Sequence, residues 1–371
     1  MKRIMAILFF VLVVAAQPVW GARAQLATIS ADPYVSALLI DGATGEVLFS
    51  ENAEKVVYPA SVVKLMDLLI MLDRIREGKN SLEEMVPVTV EAAKTGGSQV
   101  YLDPKEQFSV DDLLYALMVQ SANDAAVALA MHVAGSKEGF VAMMNQKAAE
   151  LGMKDTRFHS VHGLPPSAGQ EVDQTTASDL ALLGRALVVR PEALRYTATR
   201  VRDFRDGKFI MRNHNHLLDQ VDGCDGLKTG YFQAGGFSIA ATAARGDNRV
   251  IAIVMGSRDR KVRDARAGQL LNEGLAQLAT RPPSATAAST VSASRQQQES
   301  GQPATASPEP VEKAPAAAAA AEAVEGGGAI LTFWKPFLLG LMAGILISGV
   351  AIWYILRRRR VRLQKDLIRR V

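Results

Sequence analysis

The spacing of apolar residues changes period several times along the chain, and each change predicts an element. Val35 to Ile40 and Glu46 to Phe49 are apolar stretches joined by Asp41-Gly42-Ala43-Thr44-Gly45, which predicts a β-hairpin. From near Ser61 the period becomes helical and runs through Leu65, Leu68, Leu69 and Leu72. Ser109 and Asp112 make a capping-box-like start to another helix, which continues through Leu113, Leu114 and Leu117. That helix breaks near Ser121 and resumes from Ala125 to Val133. Ser136 to Leu151 and Thr176 to Val188 are also predicted helical. Gly236 to Ala243 and Arg249 to Met255 alternate like strands around the turn Arg245-Gly246-Asp247-Asn248, and a last helix is predicted from about Asp264 to Ala279. A hairpin, then helices, then a hairpin and a helix give an α+β fold with an antiparallel sheet. No internal repeat interrupts this order.

Both ends depart from the globular pattern. Met1-Lys2-Arg3, the apolar run Ile4 to Ala16 and Ala22-Arg23-Ala24 have the three parts of a secretory signal peptide over residues 1–24. Residues 281–328 are Ala, Pro, Ser, Gln and Glu with no aromatic side chain, too little apolar surface to offset the entropy of ordering. As a flexible tether they would reach roughly 40 Å. Within 329–356, Phe337 to Leu356 is uncharged for twenty residues, about 30 Å of helix and so one transmembrane span. Trp334, Trp353 and Tyr354 stand near its ends, where amphipathic rings favour the interface. Residues 357–371 carry eight Lys or Arg against one Asp, which predicts a cytoplasmic tail and an extracytoplasmic body, residues 25–280.

Composition narrows the chemistry. The net charge of +4 belongs to the two ends, so the body is mildly acidic and a nucleic-acid partner is disfavoured. Hydrophobic residues at 49% exclude wholesale disorder, and Cys224 alone excludes a disulfide scaffold. The His residues have no metal-ligand spacing, and no metal or cofactor is implied; His162 is read as a structural histidine.

Three short motifs carry candidate chemistry. In Ser61-Val62-Val63-Lys64 the hydroxyl and amine share a helix face, and serine needs such a base to become a nucleophile. A lysine serves only when neutral, as burial or a second cation can make it. Alone the pattern is weak, arising about once by chance in a chain of this length. Ser121-Ala122-Asn123 sits at the break between two helical runs, where a plain helix cap is the competing reading. Lys228-Thr229-Gly230 precedes the strand pair and offers a carboxylate one charge and one hydrogen bond, with glycine permitting close backbone approach. Lys94-Thr95-Gly96 is a second copy; the later one is preferred because long strands follow, giving an edge along which a peptide could lie.

In this order, about 60 and then about 107 residues apart, the motifs are those of penicillin-binding proteins and class A β-lactamases. The chain resembles the serine-type D-alanyl-D-alanine carboxypeptidases, the low-molecular-mass penicillin-binding proteins, from about Ala37 to Leu275. Further matching segments are Tyr58-Pro59-Ala60, Gly97-Ser98, Asp124-Ala125, His162-Gly163-Leu164-Pro165, Asp225-Gly226-Leu227, Tyr231 and Val254-Met255-Gly256. The resemblance implies a β-lactamase/transpeptidase-like fold, with an antiparallel sheet flanked by helices and a helical subdomain. It also implies an acyl-enzyme on Ser61, with Lys64 as base, Ser121 as proton relay and Asn123 holding Lys64 and the substrate amide. Lys228 and Thr229 would bind the terminal carboxylate, and the Ser61 and Tyr231 amides beside Gly230 would form the oxyanion hole. The implied partners are peptidoglycan stem peptides and β-lactams. Phe232 departs from the pattern, standing where the family often has a polar residue, and no second β-rich domain is expected.

Three rivals share part of this evidence. A class A β-lactamase would need a Glu in an E-x-x-L-N context, which Glu192-Ala193-Leu194-Arg195 does not supply. A D,D-endopeptidase acting on crosslinks has the same motifs. A non-enzymatic penicillin-binding sensor would pass its signal to the short tail through a partner.

Overall fold

The computed structural model describes residues 26–281. The expected signal peptide, nearly all of the tether, the span and the basic tail lie outside the described residues. Among those described, no helix is long and apolar enough to cross a membrane.

The chain opens with the expected hairpin, β1 (Ser36–Asp41) and β2 (Val47–Glu51), whose turn is fixed by Asp41 accepting the amides of Ala43 and Thr44. A 3₁₀ turn (Ala60–Val63) leads into α1 (Lys64–Arg76). Next come β3 (Met85–Pro87), α2 (Val90–Ala93), β4 (Gln107–Ser109) and α3 (Val110–Val119). Then follow α4 (Asn123–Ala134), α5 (Lys137–Glu150), α6 (Ala177–Val188) and α7 (Pro191–Thr197). A small hairpin, β5 (Val201–Phe204) and β6 (Phe209–Arg212), precedes the short α8 (Leu217–Gln220). The chain closes with β7 (Cys224–Phe232), β8 (Gly236–Arg245), β9 (Asn248–Ser257) and α9 (Arg260–Ala279).

The main sheet has the order β2-β1-β9-β8-β7 and every neighbour is antiparallel, as expected of the α+β class. Its strands are near-continuous apolar runs because both faces are covered. On β9, Val250, Ala252 and Val254 pack against Leu270, Leu271 and Leu278 of α9. Ile251, Ile253 and Met255 point the other way, into the larger core built on α1, α3, α4 and α6. Within that core α1 is buried on all sides from Lys64 to Asp73, so this helix carries its charged groups inside.

Several caps match the sequence signals. Ser109 accepts the Asp112 amide at 3.1 Å, and Ser136 and Thr176 cap α5 and α6 in the same way. The β5–β6 hairpin and β7 were not predicted. In β7 the strand signal is masked by Gly226, Lys228 and Gly230, although the strand pairs with β8 along its length. The sheet therefore ends on β7, and that free edge meets the 3₁₀ turn and the helical layer.

Candidate active site

The three sequence motifs meet where β7 faces the 3₁₀ turn and the break between α3 and α4. Ser61 is partly buried on the turn, one residue after Ala60, whose φ is +48°. Ser121, in the break itself, has φ +58°. Left-handed backbone at a non-glycine residue costs on the order of 1–3 kcal/mol and collects at working sites. Here it turns both hydroxyl-bearing segments towards one cleft. That cleft, of about 530 Å³, is lined by Ser61, Ser121, Asn123, Thr229, Gly230 and Tyr231, among others.

Lys64 is fully buried beneath Ser61. Its Nζ lies 3.0 Å from Ser61 Oγ, 2.7 Å from Asn123 Oδ1 and 2.7 Å from the His162 carbonyl. The two carbonyl oxygens can only accept, so Lys64 donates to both. The contact with Ser61 is the one that can reverse: a neutral amine accepts the Ser61 hydroxyl proton there. Burial pushes the Lys64 pKa down to about 7, partly opposed by Asp67, Asp173 and Asp124. Much of the amine is therefore uncharged near neutral pH. Asn123 is fixed in turn, its Nδ2 donating to the Gly96 carbonyl at 2.8 Å.

β7 presents its residues alternately. Gly230 and Phe232 face the nucleophile turn: a Cβ at 230 would stand 2.5 Å from the Pro59 carbonyl and 3.0 Å from the Ser61 nitrogen. Phe232 stacks on Tyr58 with ring centroids 5.9 Å apart and packs against Ala60. The departure at 232 thus braces the backbone behind Ser61 rather than facing the cleft. Thr229 and Tyr231 line the cleft, with Tyr231 stacked on Phe237 at 4.0 Å. Lys228 is buried, and its Nζ donates to the Thr229 carbonyl at 3.0 Å. Burial, reinforced by Lys64 and Arg263, drives its pKa well down.

Some functional features escaped sequence reasoning. The His162 ring accepts the Leu164 amide, and burial with the Lys64 charge depresses its pKa to about 3, so the ring stays neutral as a structural histidine should. Its carbonyl, however, is a ligand of Lys64, a role that no side chain announces. Gly163, at φ +76°, lies where a Cβ would sit 2.1 Å from the Ala60 carbonyl, so only glycine lets that loop close on the turn. Arg212, Arg260 and Arg263 add positive charge to the cleft. Arg212 ends a hairpin that the Asp206-Gly207 pair could have signalled.

The earlier Lys94-Thr95-Gly96 copy follows the short α2 and lies outside the sheet. It borders a separate groove of about 1100 Å³, beyond Leu164, with Lys137 and His159. Glu192, weighed as a deacylating base, is exposed at the start of α7 and does not line the cleft. Among the described residues no cluster of His, Cys, Asp or Glu is arranged to hold a metal ion.

Comparison with known proteins places this geometry among relatives. A profile of the peptidase S11 family, D-alanyl-D-alanine carboxypeptidase, matches residues 21–259. The chain is 36% identical over 250 residues to the D-alanyl-D-alanine carboxypeptidase DacF of Bacillus subtilis, covering 67% of this chain and 63% of the relative. It is 38% identical over 245 residues to DacC of Escherichia coli, covering 64% and 60%. The chain thus spans about three fifths of the length of these curated relatives. Among solved structures, penicillin-binding protein D2 of Listeria monocytogenes in its ampicillin-bound form superimposes with a TM-score of 0.59 at 31% identity, over 65% of this chain and 97% of that one.

Proposed function

The chain belongs to the peptidase S11 family of D-alanyl-D-alanine carboxypeptidases, and we propose that it removes the terminal D-alanine from peptidoglycan stem pentapeptides through an acyl-enzyme on Ser61. The observation that carries this reading is the buried Lys64 amine 3.0 Å from the Ser61 hydroxyl. Lys64 takes the Ser61 proton as the hydroxyl attacks the carbonyl between the two D-alanines. The Ser61 and Tyr231 amides receive the developing oxyanion, and Gly230 keeps the space between them open. Ser121 passes a proton to the leaving amine, while Asn123 holds Lys64 and the substrate amide. Thr229 and Lys228 bind the terminal carboxylate, with Arg212 and Arg263 adding positive potential. Water then releases the shortened peptide.

Penicillins would acylate the same serine and leave slowly; the ampicillin-bound form of the Listeria relative supports this. We further propose that the catalytic unit works outside the cytoplasmic membrane, held by a span over 337–356. The uncharged run and the Arg357–Arg360 cluster support that placement. Removal of residues 329–371 should then release the protein into the soluble fraction.

Intact-mass and product analysis with pentapeptide and with penicillin tests the activity. Loss of one alanine, together with a covalent adduct located on Ser61, is expected. An unchanged pentapeptide alongside a stoichiometric adduct would contradict the carboxypeptidase reading.

A further inference from the structure

Three carboxyl groups surround Lys64: Asp67, Asp124 and Asp173. Two of them are engaged elsewhere. Asp124 on α4 accepts the amides of Val100 at 3.2 Å and Leu102 at 3.0 Å. Asp173, ahead of α6, accepts the amides of His159 and Ser160 and the Ser160 hydroxyl, all within 2.9 Å. Asp67 differs: it is 1% exposed, and neither of its oxygens has a hydrogen-bond partner among the described residues. It stands one turn after Lys64 on α1, on the same side of the helix. Lys64 directs its contacts to Ser61, Asn123 and His162, so the two make no direct ion pair.

A buried carboxyl without donors is costly as an anion, and packing alone gives no reason for a carboxyl at this position. Burial raises its pKa well above the usual carboxylate range and a charged Lys64 acts in the opposite direction, so the anion is favoured only when the lysine carries its proton.

We propose that Asp67 is a positioning residue that acts through Lys64, setting how firmly the amine holds the proton it draws from Ser61. This rests on the reading of Ser61 and Lys64 as nucleophile and base. In that step the Ser61 O–H bond breaks and its proton makes the third N–H bond of a Lys64 ammonium. The oxygen electron pair forms the bond to the acyl carbon, and the carbonyl π pair moves onto its oxygen. The new ammonium arises where water is excluded and charges interact strongly. Asp67 is the acid beside it whose oxygens no other described residue engages.

The other groups facing this pair do not substitute for it. Asp124 and Asp173 are held by loop amides, and Lys228 on β7 opposes the ammonium, with Arg263 on α9 behind it. His162 and His214 bring imidazole rings near Lys64. Lys64 and Asp67 titrate as a unit, and loss of the carboxyl lowers the pH at which Lys64 becomes a free amine.

The test measures the second-order rate of Ser61 acylation by a fluorescent penicillin in the full chain, from about pH 5 to 9. Wild type, Asp67→Asn, Asp67→Ser and Asp67→Glu are compared. In the Asn and Ser variants the midpoint of the rise should fall by about one pH unit. The plateau should drop on the order of tenfold, as expected of a weaker base. Asp67→Glu, which restores a carboxyl, should keep the midpoint near that of wild type. Ser is read in parallel in case the Asn variant does not fold. A midpoint unmoved in whichever of these two folds overturns the proposal, even with a lower plateau, because lost packing reduces rate without moving a titration. A wild-type protein that takes no penicillin at any pH overturns the nucleophile reading itself, and this inference with it.

Discussion

The tripeptide Lys-Thr-Gly occurs twice in this chain, and its two settings could hardly differ more. At 94–96 it follows a four-residue helix, with Lys94 exposed and open space where a Cβ would be added at Gly96. At 228–230 it lies inside β7, paired with Ala240, Ile239 and Ser238, with Lys228 buried and Gly230 pressed against the nucleophile turn. Both copies touch the machinery, the first only through the Gly96 carbonyl that receives Asn123. The chemistry is carried by the sheet edge beneath the second copy rather than by the three residue types. A strand fixes which side chain faces the turn and which faces the cleft; a loop after a short helix does not.

Paired substitutions can break or sharpen that contrast. The largest effect is expected of Gly230→Ala. Its methyl would meet backbone atoms of Pro59 and Ser61, displacing an oxyanion donor, and penicillin acylation should fall by on the order of 10²- to 10³-fold. Gly96→Ala should stay within about twofold of wild type, since its methyl meets nothing within 4 Å. Equal losses at both positions in the same acylation assay would remove the distinction. Next comes Lys228→Ala, expected to raise KM for pentapeptide and lower kcat/KM by on the order of a hundredfold, the scale of a lost charged hydrogen bond. Lys94→Ala, on an exposed residue, should change steady-state kinetics least. A KM that responds to Lys94 but not to Lys228 would reverse the assignment.

Much of this was legible in the sequence, for reasons that can be named. Ser61 and Lys64 are one helical turn apart, and Ser121 and Asn123 mark a break in an apolar run; each signal is weak alone, and their order with Lys228-Thr229-Gly230 makes them legible as one site. The first hairpin, the capped helices and the last strand pair also followed from period and turn chemistry. The role of the His162 carbonyl was not legible, because a backbone oxygen leaves no trace in residue type. Arg212 and Arg263 reach the cleft from elements distant in sequence. The β5–β6 hairpin hid because its strands are short and charged, although Arg205, Asp206 and Gly207 all take the positive φ of a tight turn. Nothing in the helical run singles out Asp67, and only the burial of α1 on every side makes it an internal carboxyl.

The claim underneath all of this is that a lysine inside the protein is uncharged when serine needs a base. Nitrogen-15 NMR of the lysine side chains across pH, with Lys64→Met to assign the signal, observes that state directly. One resonance, absent in the variant, should titrate with a midpoint of about 7, its free-amine fraction rising as the pH rises. If the Lys64 resonance titrates near 10 with the solvent-exposed lysines, the amine is an ammonium at neutral pH and cannot accept the Ser61 proton.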